Sequence, residues 1–385
     1  MTATMTPPAV PSIPPKYGFP IISADSHITE APDTYTAYID SAWLDRAPRL
    51  IDGGVKGDLF AVEGTKPISL GTVAAAGKQA SEISIYSRFD DLHRSGWDSS
   101  ARTADQDIDG VSAEIIYPTI GMVLCNHPDG DYKRACFQAY NRWISAYCEP
   151  YANRLLGCGQ TTLRTPAEGI ADLAEIKALG LRGVMMPGTP SYQHDYDHPD
   201  WDPFWEAAVE QGLPLSFHIL TMGGARHRGA RINSFLSIVR GCQDIMSMLI
   251  FGGIFERHPD LKVVCAEADA GWVPHFMYRM DHAFNRHRYW LTPGAELTKL
   301  PSEYYAENIY TTFQDDWTAF KFADSMNWKR LMWANDFPHS DSTWPWSQDI
   351  IAQHSAGLTT AQRQAIISSN VADLYNIDLS SLPIR

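Results

Sequence analysis

Carboxylate and imidazole side chains stand at the ends of several short apolar runs. The first such run ends in Asp25 and His27, and two later runs end in His218 and Asp336. Because successive side chains of a strand alternate between its faces, Asp25 and His27 share one face while Ser26 points away. Imidazole and carboxylate donors together suit zinc, iron or manganese. These residue types therefore predict a site for a divalent metal ion.

Each of these residues also has an ordinary structural interpretation. A histidine at a strand end is more often a hydrogen-bonded core residue than a ligand, and Asp336 could cap a following helix. Asp25 and His27 could simply bond to each other. The metal site is favoured because ligand-type residues fall at three strand ends, and in a barrel all such ends converge on one face.

Two further carboxylates are candidates for the same site. Glu267 ends another apolar run and is a fifth possible ligand, or an acid/base group. Glu30, three residues beyond His27, could be a ligand, an orienter of a ligand, or a surface residue of the following loop.

A basic cluster and a helical histidine are candidates for binding substrate. Arg226 and Arg228 follow the run that ends in His218, and guanidinium groups match the geometry of a carboxylate. A solvated loop or a subunit contact is the alternative. His275 and His282 share a helix face at a spacing of seven, so one of them could reach the site or lie at the surface.

The apolar runs alternate with helical segments along most of the chain. Helices are predicted at about 131–154, 166–179, 201–211 and 233–257, with further helical segments over 346–375. The predicted strands cover 19–27, 113–119, 155–163, 181–187, 214–220, 261–268, 308–313 and 330–336. This order predicts an α/β fold, a closed (β/α)8 TIM barrel with a long insertion after its first strand and helices at its C-terminal end.

The remaining segments suggest one barrel domain with additions. Residues 1–18 predict a flexible, Pro-rich arm, and 19–385 the metal-dependent barrel domain. Within that domain, residues from about 31 to 100 are rich in Gly, Asp and Ser with weak periodicity. We expect this insertion to lie over the barrel mouth as a lid.

Net charge and cysteine usage indicate what kind of partner the protein binds and in which cellular compartment it works. The net charge of −14 over 385 residues, without a run of Lys or Arg, disfavours nucleic acid and anionic membranes as partners. A small-molecule substrate fits better, with assembly into a homo-oligomer or with a homologue. The six cysteines stand singly, which suggests reduced thiols and a cytoplasmic location. Neither a signal peptide nor a membrane span is expected.

Longer motifs resemble one enzyme family. In chain order they are ADSHITE, RTADQDIDGVSAEIIYPT, FHI, FERHPDLKVVCAEADAGWVPHFMYRMD, WANDFPHSDSTWP and ISSNVADLYNI. Together they resemble the amidohydrolase-related family, in the branch that includes the aminocarboxymuconate-semialdehyde decarboxylases, from about residue 21 onward.

The resemblance implies both a cofactor and a range of reactions. It implies a divalent ion, zinc, manganese or iron, held by Asp25, His27, His218 and Asp336. Asp336 would double as general base, and His339 would hydrogen-bond a ligand or the substrate. The implied reactions are hydrolysis by a metal-activated water or decarboxylation of a small acid.

Two positions depart from the family pattern. Decarboxylases of this branch typically carry a histidine at the end of the sixth strand, where this chain has Glu267, and this weakens the decarboxylase interpretation. The fourth strand ends in Met185 and Met186 without a lysine, so a second metal would need a carboxylate as its bridge.

Two other functions therefore stay open. The carboxylate-rich set of Asp25, Glu30, Glu267 and Asp336 suits two iron or manganese ions, as in a non-haem dinuclear oxygenase on this fold. A non-catalytic barrel subunit that partners an active homologue is the other alternative.

Overall fold

A ring of eight parallel strands forms the centre of the computed structural model, which describes residues 16–222, 228–291 and 297–385. Its spatial order is β1-β5-β6-β7-β8-β9-β10-β11, and β2, β3 and β4 form a separate antiparallel sheet. The strands are β1 (Ile22–His27), β2 (Arg49–Asp52), β3 (Asp58–Ala61), β4 (Ile68–Ser69), β5 (Ala113–Tyr117), β6 (Leu155–Gln160), β7 (Gly183–Met186), β8 (Leu215–His218), β9 (Val263–Ala266), β10 (Ile309–Phe313) and β11 (Leu331–Trp333).

Backbone hydrogen bonds just beyond β11 close the ring against β1. The N–H of Asp336 donates to the carbonyl of Asp25 at 3.0 Å, and the N–H of His27 donates to the carbonyl of Phe337 at 2.7 Å. The predicted (β/α)8 barrel is confirmed, and its closure brings residues more than three hundred positions apart side by side.

Helices cover the outside of the ring, so its strands are buried on both sides. They are α1 (Ser99–Asp109), α2 (Ile120–Leu124), α3 (Gly130–Cys148), α4 (Pro166–Ala178), α5 (Asp202–Gln211), α6 (Ser234–Phe251), α7 (Ile254–Arg257), α8 (Val273–His287), α9 (Pro301–Asn308), α10 (Trp317–Lys321), α11 (Ser347–His354), α12 (Thr360–Gln364) and α13 (Asn370–Tyr375). The single helix predicted over 233–257 is wrong, because the chain leaves the helix at Gly252 and at Gly253, whose φ is 70°.

The insertion after β1 contains the small β2-β3-β4 sheet, which was not predicted. It touches the barrel beside the tip of β11, where the N–H of Ala76 donates to the carbonyl of Pro338 at 3.0 Å and Ser340 donates to the carbonyl of Thr72 at 2.9 Å. The insertion thus borders the mouth near Asp336, and its opening as a lid stays a prediction.

The structure also bears on the expectations for the cysteines, for a membrane span and for the N-terminal arm. All six cysteines are free and buried, consistent with reduced thiols. One helical stretch, Arg231–Phe251, is long and apolar enough to cross a membrane, and a single such helix is weak evidence for a membrane span. The helix within it, α6, packs on β8 and β9 of the barrel. Most of the predicted Pro-rich arm, residues 1–15, lies outside the described residues.

Candidate metal centre

Side chains from four strand ends meet in the mouth of the barrel. The Nε2 atom of His27 lies 3.5 Å from Asp25 Oδ1, 3.3 Å from Glu267 Oε2 and 3.5 Å from Asp336 Oδ1. The Nε2 atom of His218 lies 3.5 Å from Asp25 Oδ1 and 3.0 Å from Glu267 Oε2. Ligands bound at about 2.0–2.2 Å from one ion are about 3 to 3.5 Å from each other. The observed spacing matches that of ligands around a single cation.

Hydrogen bonds fix which nitrogen of each imidazole faces the centre. His27 Nδ1 lies 3.1 Å from the carbonyl oxygen of Pro118, and His218 Nδ1 lies 3.0 Å from that of Ile219. A carbonyl only accepts, so each Nδ1 carries the hydrogen and donates it. Both Nε2 atoms are therefore free to present a lone pair to a metal, the arrangement that metal-binding histidines usually show.

The buried atoms at the centre lack the partners that such atoms normally have. Within residues 16–222, 228–291 and 297–385, no hydrogen-bond partner exists for Asp25 Oδ1, His27 Nε2, His218 Nε2, Glu267 Oε2 and Asp336 Oδ2. Buried polar atoms are almost always paired, and three carboxylates this close together repel one another. A divalent cation would satisfy the lone pairs and offset the charge, so these residues fit a metal ion.

Burial and charge act in opposite directions on the histidines. Burial lowers the pKa of His27 to about 4, which favours the neutral ligand form. Burial also lowers the pKa of His218, but the carboxylates of Asp25 and Glu267 outweigh it and hold that pKa well above its ordinary value. A bound cation would replace the proton on His218 in this role.

Asp336 and His339 form a pair that holds a proton. His339 Nδ1 lies 3.0 Å from Asp336 Oδ1, and its Nε2 lies 3.0 Å from Thr119 Oγ1. The Thr119 hydroxyl donates its hydrogen to the carbonyl of Ile28 at 2.6 Å, so it accepts from Nε2–H. Burial lowers the pKa of His339 but Asp336 raises it above its ordinary value, and burial raises the pKa of Asp336 to about 8. Because the pKa of each group lies above its ordinary value, the pair retains a proton at a pH where an isolated carboxylate and imidazole would not.

Two of these carboxylates stand on unusual backbone. Glu267 and Asp336 have φ values of 54° and 50°, in the left-handed region that side chains other than glycine rarely adopt. Such conformations cost free energy and occur often at functional sites. At Glu267 the backbone is fixed by its N–H, which donates to Thr312 Oγ1 at 2.8 Å. The turns after β9 and β11 thereby aim both carboxylates into the mouth.

Comparison with known proteins identifies the family. A family model described as amidohydrolase matches residues 129–377, which is more than half of the chain. The chain belongs to the amidohydrolase family. The family predicted from the sequence motifs is confirmed, and the protein is an enzyme.

Several relatives of this amidohydrolase are known. Over 254 residues, 65% of this chain and 69% of the relative, it is 24% identical to a 2-amino-3-carboxymuconate-6-semialdehyde decarboxylase from Dictyostelium discoideum. An amidohydrolase structure from Mycobacterium avium subsp. paratuberculosis K-10 matches with a TM-score of 0.77 and 19% identity, covering 95% of this chain and 100% of that one. A 5-carboxyvanillate decarboxylase from Novosphingobium aromaticivorans, complexed with manganese and 4-hydroxy-3-methoxy-5-nitrobenzoic acid, matches with a TM-score of 0.67 and 20% identity, covering 93% and 96%. At these identities the two structures show a shared fold.

Glu30 does not join the other carboxylates in this amidohydrolase. Its Oε1 accepts the backbone N–H groups of Thr119, Ile120 and Gly121 at 3.1, 2.7 and 3.3 Å, at the start of α2. None of the three groups of possible metal ligands among the described residues includes Glu30. The carboxylate of Glu30 therefore binds backbone amides instead of facing the metal centre. One of these amides belongs to Thr119, whose hydroxyl contacts His339.

The candidate substrate-binding residues are exposed where the structure describes them, and their role in binding substrate stays a prediction. Arg228 is exposed after β8, and Arg226 lies outside the described residues. His275 is exposed because the buried side of α8 is formed by Val273, Met280 and Phe284.

Thr312 is one of the supporting residues that sequence reasoning missed. Its Oγ1 donates to Asp25 Oδ2 at 3.1 Å and accepts from the N–H of Glu267, so it links two candidate ligands. A threonine inside an apolar strand carries no metal signal by itself. One signal could have found it. Thr312 is an inward-facing position of a predicted strand, next to strands that carry predicted ligands.

Proposed function

We propose that this amidohydrolase is a metal-dependent decarboxylase of small aromatic or unsaturated acids, with manganese as its ion. The observation that carries the proposal is the convergence of buried, unpartnered ligand atoms from Asp25, His27, His218, Glu267 and Asp336 among the residues described. The decarboxylase relative and the manganese-bound decarboxylase of the same fold support the reaction and the ion.

In this proposal the residues of the chain bind the metal ion and provide the proton that the substrate carbon needs. A divalent ion held by these side chains would act as a Lewis acid on a substrate oxygen. When the bond to the carboxylate breaks, carbon dioxide leaves and the electron pair stays on the substrate carbon, which then needs a proton. The His339 and Asp336 pair holds one, and Thr119 fixes the imidazole that carries it. This pair would donate the proton that, in related decarboxylases, is expected from a histidine after the sixth strand.

The metal content of a His218→Ala variant tests the proposal. Wild-type protein loaded with manganese should contain about one ion per chain and release carbon dioxide from 2,6-dihydroxybenzoate or 5-carboxyvanillate. His218→Ala should lose both the ion and the activity while keeping its far-UV circular dichroism. His258→Ala is the matched control, because this histidine is also buried but pairs with Asp202 at 3.0 Å. Unchanged metal content in His218→Ala would refute the site.

One observation favours a second candidate function, a dinuclear oxygenase. Two groups of possible ligands share His27 and Glu267, the first adding Asp25 and His218 and the second adding Asp336 and His339. A carboxylate shared between the groups could bridge two ions. Close to two iron or manganese ions per chain, with oxygen uptake that needs a reductant, would establish this candidate in place of the decarboxylase.

A further inference from the structure

A buried glutamine, Gln314, lies at the tip of β10, and its side-chain Nε2 has no hydrogen-bond partner among the described residues. We propose that its side-chain amide donates a hydrogen bond to an oxygen of the bound substrate. The inference rests on the proposed function and names a residue that selects an oxygen-bearing, anionic ligand.

The alternation of side chains along β10 places Gln314 on the side of the metal centre. Thr312 faces the barrel interior, where it bonds to Asp25. Phe313 faces outward and packs edge-on against Phe320 of α10, with ring centroids 5.0 Å apart. Gln314, the next residue, returns to the interior side.

The neighbouring strands place Gln314 between two candidate ligands. β10 pairs with β9, after which Glu267 follows, and with β11, after which Asp336 follows. The N–H of Ala334 donates to the carbonyl of Phe313 at 2.9 Å, so the chain beyond β11 runs alongside the tip of β10. Ala334, a small buried residue, therefore lies beside this tip.

The amide nitrogen of Gln314 is exceptional among the buried glutamines. Gln314 is 5% exposed, and its Nε2 finds no acceptor in the described part of the chain. In contrast, Gln106 Nε2 donates to Glu114 at 2.8 Å and Gln160 Nε2 donates to the carbonyl of Gly121 at 3.0 Å. A buried donor without an acceptor lowers stability, and a polar group retained at such a cost is typical of a binding site.

The chemistry of the mouth suits a donor at this position. The surrounding candidate ligands Asp25, Glu267 and Asp336 are carboxylates that accept hydrogen bonds and repel anions. A substrate carboxylate or phenolate therefore needs a donor in addition to a cation. An uncharged amide supplies it without competing for the metal.

Replacing Gln314 by leucine separates a ligand-binding role from a structural one. Leucine has a similar size and removes the donor, so Gln314→Leu should keep its manganese and melt at the same temperature as wild type or higher. Its dissociation constant for 2,6-dihydroxybenzoate, measured calorimetrically on manganese-loaded protein, should rise about tenfold or more. Gln160→Leu is the matched control: it should melt lower, since it loses an internal hydrogen bond, and bind the probe as wild type does.

The other outcomes overturn the inference in distinguishable ways. A Gln314→Leu protein that binds the probe like wild type, whatever its melting temperature, refutes the role of Gln314 and leaves the proposed function intact. Wild-type protein that loads manganese but does not bind the probe refutes the proposed substrate class, and the inference with it. Wild-type protein that takes up no manganese refutes the metal centre itself.

Discussion

Thr312 shows how a single hydroxyl can set the geometry of a metal centre. It orients Asp25 by donating a hydrogen bond and holds the strained turn at Glu267 by accepting one. Thr312→Val keeps the shape and removes both bonds. We expect manganese affinity to fall about 10- to 100-fold, the usual effect of losing a residue that orients a ligand. Competition with a chelator of known affinity measures the change.

The adjacent threonine is a close control for this prediction. Thr311 lies on the same strand, but its hydroxyl contacts Tyr305 at 3.1 Å instead of a candidate ligand. Thr311→Val should therefore retain wild-type affinity for manganese. Equal losses in the two variants would mean that β10 is disturbed generally and that Thr312 has no specific part in positioning ligands.

The sequence predicts the ligand candidates better than the residues that hold them. Asp25, His27 and His218 could be predicted because imidazole and carboxylate are recognisable ligand types and strand ends of a barrel converge. Thr312 and Gln314 have no such chemical signature, and their roles depend on which strand lies next to which. Whether a carboxylate faces a metal or a set of backbone amides likewise depends on the fold.

Glu30, just after the first barrel strand, binds the backbone at the start of α2, next to the threonine that contacts His339. Its carboxylate is buried against the amides that begin α2, and burial raises its pKa to about 7. The folded protein therefore binds this proton more tightly than the unfolded chain, whose glutamates titrate near 4.3. The stability that the proton provides is complete below that pH and is lost as the pH rises through about 7.

Glu30→Gln should flatten this part of the stability profile. The glutamine oxygen can still accept the amide hydrogens but does not ionise, so the variant should gain up to about 3 kcal/mol relative to wild type between about pH 4.5 and 7. Urea unfolding across that range measures the difference. Asp109, whose pKa burial raises to about 6, contributes equally to both proteins. A wild-type profile that matches the variant would contradict a buried ionising Glu30.

Elements with strong periodicity were predictable, and those that depend on distant pairing were not. The barrel strands are buried along their whole length and most are rich in apolar residues, whereas β2 (RLID) and β4 (IS) are short and partly exposed. Their order depends on pairing across the insertion, which no local pattern encodes. The break between α6 and α7 did have a local signal, the pair Gly252 and Gly253.

At the scale of the whole barrel, a buried cation bridges the end of the first strand and the segment that follows the last one. Arg102, which is 0% exposed, donates from Nη1 to the carbonyl of His27 at 2.7 Å and from Nη2 to that of Phe337 at 3.1 Å. Its Nε donates to Glu114 at 2.6 Å. One guanidinium thus spans the seam beside the metal centre. The sequence predicted that a seam would exist, but it did not indicate which side chain lies across it.

Removing this guanidinium should destabilise the whole fold, and the reason can be tested with a second substitution. Arg102→Met leaves the Glu114 carboxylate buried without its cation, and breaking a buried pair on one side costs about 3–5 kcal/mol. Adding Glu114→Gln removes the orphaned charge, so the double variant should recover part of the loss. Arg142→Met, at an arginine that is 43% exposed, should change the free energy of unfolding by less than about 1 kcal/mol. If the single and double variants unfold at the same denaturant concentration, the loss comes from the carbonyl bonds across the seam, and the ion pair contributes little to barrel closure.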